Sequence, residues 1–103
     1  MDNRLNRLNT LGLCKRAGRL VAGKDAAIAA VADTRKWAGV LLTKDLSDKS
    51  KKEMAFQCDK HKRRLSEIDY TMEEVQSILG RKTGIIAVLD KGFFTALAAN
   101  LDN

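Results

Sequence analysis

Two stretches constrain this chain more than any others: Ala38–Gly39–Val40–Leu41–Leu42 and Ile85–Ile86–Ala87–Val88–Leu89. Neither contains a polar residue, whereas a strand with one face in water alternates apolar and polar positions. A strand that is apolar throughout is covered on both faces, as in the central strands of a sheet enclosed between helices. Val40–Leu42 and Ile85–Leu89 are therefore the expected inner strands.

The segments around them alternate between helix and strand patterns. Leu5, Leu8, Leu11 and Cys14 recur every third residue, Leu13 and Ala17 widen the stripe, and Asp2 or Asn3 can cap this first helix. Arg19 to Ala22 reads as a short strand, and Gly23 to Ala32 as a helix rich enough in Ala to pack closely on a sheet. Ser47 can cap a helix running to about His61, with Met54, Ala55 and Cys58 inward and Lys49, Lys52 and Lys60 outward. Leu65 to Ile68 is a weaker strand. Thr71–Met72–Glu73–Glu74 has the form of a capping box, followed by Val75, Ile78 and Leu79 inward until Gly80. Gly92 to Leu101 is the last helix, anchored by Phe93, Phe94, Leu97 and Leu101. This alternation predicts an α/β fold with helices on both faces of the sheet. The 103 residues suffice for one domain, 1–103, with no linker or repeat.

Charge is unevenly distributed. Residues 1–24 carry six cations against one acid and residues 43–64 eight against four, while residues 65–103 carry three against six. A basic half and an acidic half suggest a polyanionic partner on one side. No apolar run is long enough to span a membrane, and the Arg- and Asn-rich N-terminus lacks the apolar segment of a signal peptide. The expectation is a cytoplasmic protein, with no membrane partner and with Cys14 and Cys58 free. Catalysis has little to stand on. His61, the only histidine, sits in a lysine-rich run. Cys58 and His61 share a helix at ligand-compatible spacing but lack a second pair for structural zinc. No Gly–Lys–Ser/Thr follows Lys15, and Glu73 and Glu74 complement a helix dipole. The expected protein is not an enzyme and has no metal, cofactor or small-molecule substrate.

The remaining candidate is Lys15–Arg16–Ala17–Gly18–Arg19–Leu20–Val21–Ala22–Gly23–Lys24–Asp25, a helix end, turn, strand and helix start with four cations around two glycines. Gly18 can end the first helix in a left-handed conformation, and Gly23 allows a ligand backbone close to the next helix start. That helix start offers unpaired N–H groups and a positive dipole end to an anion such as phosphate. Glycines serving only as turns and cations serving only as a solvated face remain equally open on these residues alone.

Cys14 to Gly23 resembles the signature of the kink-turn RNA-binding ribosomal-protein family, of the archaeal L-seven-Ae and eukaryotic L-thirty-e type, and within it the small bacterial YlxQ-like branch. The resemblance continues through Val40–Leu41–Leu42–Thr43–Lys44–Asp45 to Gly80 and Ile85–Leu89. It implies a three-layer α/β/α sandwich with a four-stranded mixed sheet, without enzymatic activity. It also implies a ribosome-associated monomer whose partner is structured RNA, ribosomal RNA included. The implied RNA-binding residues are Lys15, Arg16, Arg19, Gly23, Lys24, Asp25 and Lys44, with Tyr70 and Thr71 in a second contact loop. Tyr70 is placed there to stack on a flipped base. The chain departs from the family pattern at Asp25, Ala26 and Ala29, where many members have polar side chains that read base edges, and at Asp69, which replaces an apolar contact. The implied behaviour is affinity for structured RNA with weakened kink-turn discrimination.

Overall fold

The computed structural model describes residues 3–98. Asp2 and Leu101, given roles above, lie outside the described residues, as does the side chain of Leu5. In chain order the elements are α1 (Asn3–Arg16), β1 (Leu20–Ala22), α2 (Lys24–Ala32), β2 (Gly39–Thr43), α3 (Asp48–Lys60), β3 (Arg64–Ile68), α4 (Met72–Leu79), β4 (Ile85–Val88) and α5 (Lys91–Ala98).

The two apolar stretches are the inner strands of a four-stranded sheet ordered β1-β4-β2-β3. β4 runs antiparallel to both β1 and β2, and β2 runs parallel to β3, so the sheet is mixed. In the β2–β4 register Leu41 faces Ile86, Val40 faces Ala87 and Leu42 faces Ile85. Side chains alternate across a sheet, so each pair belongs to one face. Leu41, Ile86 and Val88 pack with Leu11 and Cys14 of α1, Val75 and Leu79 of α4, and Phe94 and Leu97 of α5. Val40, Leu42, Ile85 and Ala87 pack with Ala27 and Val31 of α2 and with Met54 and Cys58 of α3. The result is the expected three-layer sandwich, with a core on each side of the sheet.

Local signals act where the sequence places them. The Ser47 hydroxyl accepts from the Ser50 amide and caps α3. Thr71 accepts from the Glu74 amide while the Glu74 carboxylate accepts from the Thr71 amide, which completes the capping box. Gly80 closes α4. Some boundaries and faces differ from expectation. β2 runs one residue further at each end, Gly39 to Thr43, and β4 ends at Val88, although the Leu89 amide still donates to the Arg19 carbonyl in the same antiparallel register. Ala55 is exposed, since one step of 100° from buried Met54 turns it toward water. Leu13 and Ala17 are exposed rather than part of the α1 stripe.

Both cysteines are free and buried. Burial pushes each thiol from 9.0 up to about 11, aided at Cys14 by Asp90 and opposed at Cys58 by Arg63. The native state therefore holds these protons more tightly than the unfolded chain. The associated stability is complete below the ordinary thiol range and is lost as pH rises through about 11. At pH 8 an aromatic disulfide reagent should leave both thiols unlabelled in native protein and label both in guanidinium. The denaturation midpoint should fall between pH 9 and 11. Rapid labelling of the native protein would contradict this.

Candidate nucleic-acid interface

One end of the sheet gathers four connections. The Gly23 amide donates to the Ile85 carbonyl at 2.9 Å, the Thr43 amide to Gly84 at 3.0 Å, and the Lys44 amide to Tyr70 at 3.0 Å. These bonds tie the β1–α2, α4–β4, β2–α3 and β3–α4 connections into one row. Four strands at the usual spacing make that row about 14 Å wide. The helices α2, α3 and α4 all begin there with the positive ends of their dipoles, but Ser47 takes an amide of α3, and Thr71 and the Asp45 carboxylate take amides of α4, whereas α2 has no side-chain cap.

Gly23 lies at φ 102° and ψ 157° and carries no side-chain cap for α2. That backbone region is close to glycine-only. A Cβ built on Gly23 would also stand 2.6 Å from Nη2 of Arg81. Arg81 comes from the α4–β4 connection, and its Nη1 donates to the Ala22 carbonyl at 3.0 Å. Ala22, Gly23, Lys24, Asp25, Ala26 and Arg81 line one open cleft of about 510 Å³. Gly18, at φ 70°, is the left-handed residue that ends α1's turn.

The implied site residues divide into groups. Gly23, Lys24 and Asp25 meet in this cleft. Lys24 is ion-paired with Glu53 of α3, and the hydrogen bond from Lys24 holds the Glu53 carboxyl below the usual range, helped by the charges of Lys24 and Lys49. Lys44 lies at the same sheet end, beyond β4, with its ammonium 3.0 Å from Asp69. The Thr71 hydroxyl is engaged in capping α4. Lys15 and Arg16 line a second cleft, between α1 and α4, with Asn9, Gly12, Leu13, Ser77 and Ile78. Lys15 donates to the last carbonyl of α4, that of Leu79, at 2.8 Å, which brings its ammonium beside Gly80. Arg19 is exposed at the opposite end of β1 from Gly23.

Tyr70 is corrected outright. Its side chain is 2% exposed and packs in the core with Leu11, Leu41, Val75 and Phe94, so its ring has no face to offer a base. The chain turns from β3 into α4 at this point, and the residue just before the Thr71 cap falls under the helix layer. Arg81 is the residue that sequence reasoning missed. Its only signal was an arginine just after the Gly80 stop, 58 positions from Gly23 and brought to it by the antiparallel β1–β4 pairing.

This arrangement defines an α/β/α sandwich with a cationic cleft at a glycine-opened helix start. No protein-family model matches the chain. It is 34% identical over 97 residues to the RNA-binding protein YlxQ of Bacillus subtilis, covering 89% of this chain and 91% of that protein. The chain belongs to the YlxQ family. Among solved structures it is similar to a protein of unknown function from Bacillus halodurans, with a TM-score of 0.80 and 26% identity over 94% of this chain and 97% of the other. The 15.5kD RNA binding protein of Giardia lamblia has the same fold, with a TM-score of 0.71 and 13% identity over 99% of this chain and 87% of that one.

Proposed function

We propose that this protein is a non-enzymatic, ribosome-associated RNA-binding protein that takes structured, kink-turn-like RNA at the Gly23 end of its sheet. The observation that carries the reading is the cleft in which a bare glycine backbone, the start of α2, Lys24 and Arg81 converge. Its support from relatives is the name of the YlxQ protein of Bacillus subtilis. A phosphate at the α2 start meets unpaired N–H groups and the dipole, with two cations beside it. The Gly23 amide is engaged with Ile85, so the N–H groups offered are those that follow it. Lys44 extends the contact along the row, and Asp25 is the polar group placed to accept from a base amino group. The protein acts as a cytoplasmic monomer in this reading.

A second reading, a protein-interaction module without RNA binding, is favoured by one feature. Ala26 and Ala29 line a mostly apolar groove with Val21, Ala30 and Leu89 along α2. Salt dependence separates the two, because phosphate contacts release counterions. Lys24→Ala and Arg81→Ala should each weaken binding to a bent-loop RNA hairpin across sequences and lower the log–log salt slope by about one unit. Arg19→Ala, at the far end of β1, should do less. An unchanged slope in the Lys24→Ala/Arg81→Ala double variant overturns the reading.

A further inference from the structure

Phe56 is 65% exposed in the middle of α3, the most exposed of the large apolar side chains among the described residues. Lys49, Lys52, Phe56 and Lys60 follow at spacings of three, four and four residues, which sets them along one stripe of the helix opposite buried Met54 and Cys58. All three lysines are exposed. Of the acids near this stripe, Glu53 is paired with Lys24, while Asp48 and Asp59 lie on its flank. The Lys24–Glu53 contact also joins the α3 stripe to the start of α2, so the two surfaces are continuous. An aromatic ring among cations is the chemistry that single-stranded nucleic acid uses, with the ring stacking on a base and the ammonium groups tracking the backbone.

We propose that the outer face of α3 is a second RNA surface, on which unpaired nucleotides flanking the structured loop stack on Phe56 and lay their phosphates along Lys49, Lys52 and Lys60. The inference rests on the RNA-binding reading of the sheet end and extends its footprint along α3.

Two probes test it: a bent-loop hairpin trimmed to its stems, and the same hairpin carrying a single-stranded oligouridine tail. Wild type should bind the tailed RNA more tightly. Phe56→Ala should weaken tailed-RNA binding by about 5- to 150-fold, the range for loss of one stacked base, and bind the trimmed hairpin as wild type does. Lys49→Gln, Lys52→Gln and Lys60→Gln together should lower the salt slope for the tailed RNA by roughly two units. Phe56→Trp should keep the affinity, and its emission should be quenched on binding. Because Phe56 is exposed, Phe56→Ala should melt with wild type, so its effect reports binding. Equal binding of both probes by wild type and Phe56→Ala overturns the inference and leaves the sheet-end reading intact. Failure of wild type to bind either probe removes both. A concentration-dependent dimer dissolved by Phe56→Ala assigns the face to a second copy of the chain and overturns the inference.

Discussion

Leu41→Asp should abolish cooperative folding. Leu41 is fully buried, with Ile86 opposite on one neighbouring strand and Ser66 on the other, and it touches the core shared by α1, α4 and α5. Removing a buried leucine side chain costs about 2–5 kcal/mol. An unpaired carboxyl in its place adds several more, whether it stays charged or takes up a proton. A small domain has on the order of 5–15 kcal/mol to lose. Circular dichroism should show no sigmoidal melt for this variant at neutral pH. Leu13→Asp is the control, since Leu13 is 51% exposed on α1, and it should stay within about 0.5 kcal/mol of wild type. A wild-type melt for Leu41→Asp would contradict the burial of Leu41 beneath α1, α4 and α5.

The second large effect is at Gly23. Gly23→Ala places a Cβ in a backbone region that other residues avoid, at a cost of about 1–3 kcal/mol. The same Cβ displaces the Arg81 guanidinium from the Ala22 carbonyl, losing a hydrogen bond worth about 1 kcal/mol. Stability should fall by roughly 2–4 kcal/mol. Arg81 is a flexible side chain and can move away, whereas the backbone angle cannot relax so easily. Arg81→Ala in the Gly23→Ala background should therefore recover little, and the double-variant cycle in urea measures that directly. Full recovery would mean that the clash, not the backbone, is what requires glycine here.

Much of the fold was legible because its determinants are local. The unbroken apolar character of Val40–Leu42 and Ile85–Leu89 identified the inner strands to within a residue at their ends, and Ser47, Thr71 and Gly80 marked helix ends through caps that act within a few residues. Weaker local signals failed. Leu13 and Ala55 are apolar residues one step around the helix from buried neighbours, and nothing in the sequence alone says which side of the stripe a neighbouring layer covers. The site was legible only in part. Gly23 and Lys24 are adjacent in sequence and remain adjacent in space. Arg81 reaches them through β1–β4 pairing, a long-range contact that no periodicity announces. Tyr70 was misplaced for the complementary reason: a tyrosine in a polar loop reads as a surface aromatic until the α4 layer is seen to cover it.

On the proposed reading, RNA docks on the row of connections led by Gly23. The most direct measurement is titration of a bent-loop RNA hairpin into ¹⁵N-labelled protein, following every backbone amide. Shifts should concentrate at Lys24 to Ala26, Lys44, Asp69 to Met72 and Arg81 to Gly84, and should diminish with salt and with Arg81→Ala. Shifts confined to α5, or no shifts at all with the RNA in large excess at low salt, would contradict it.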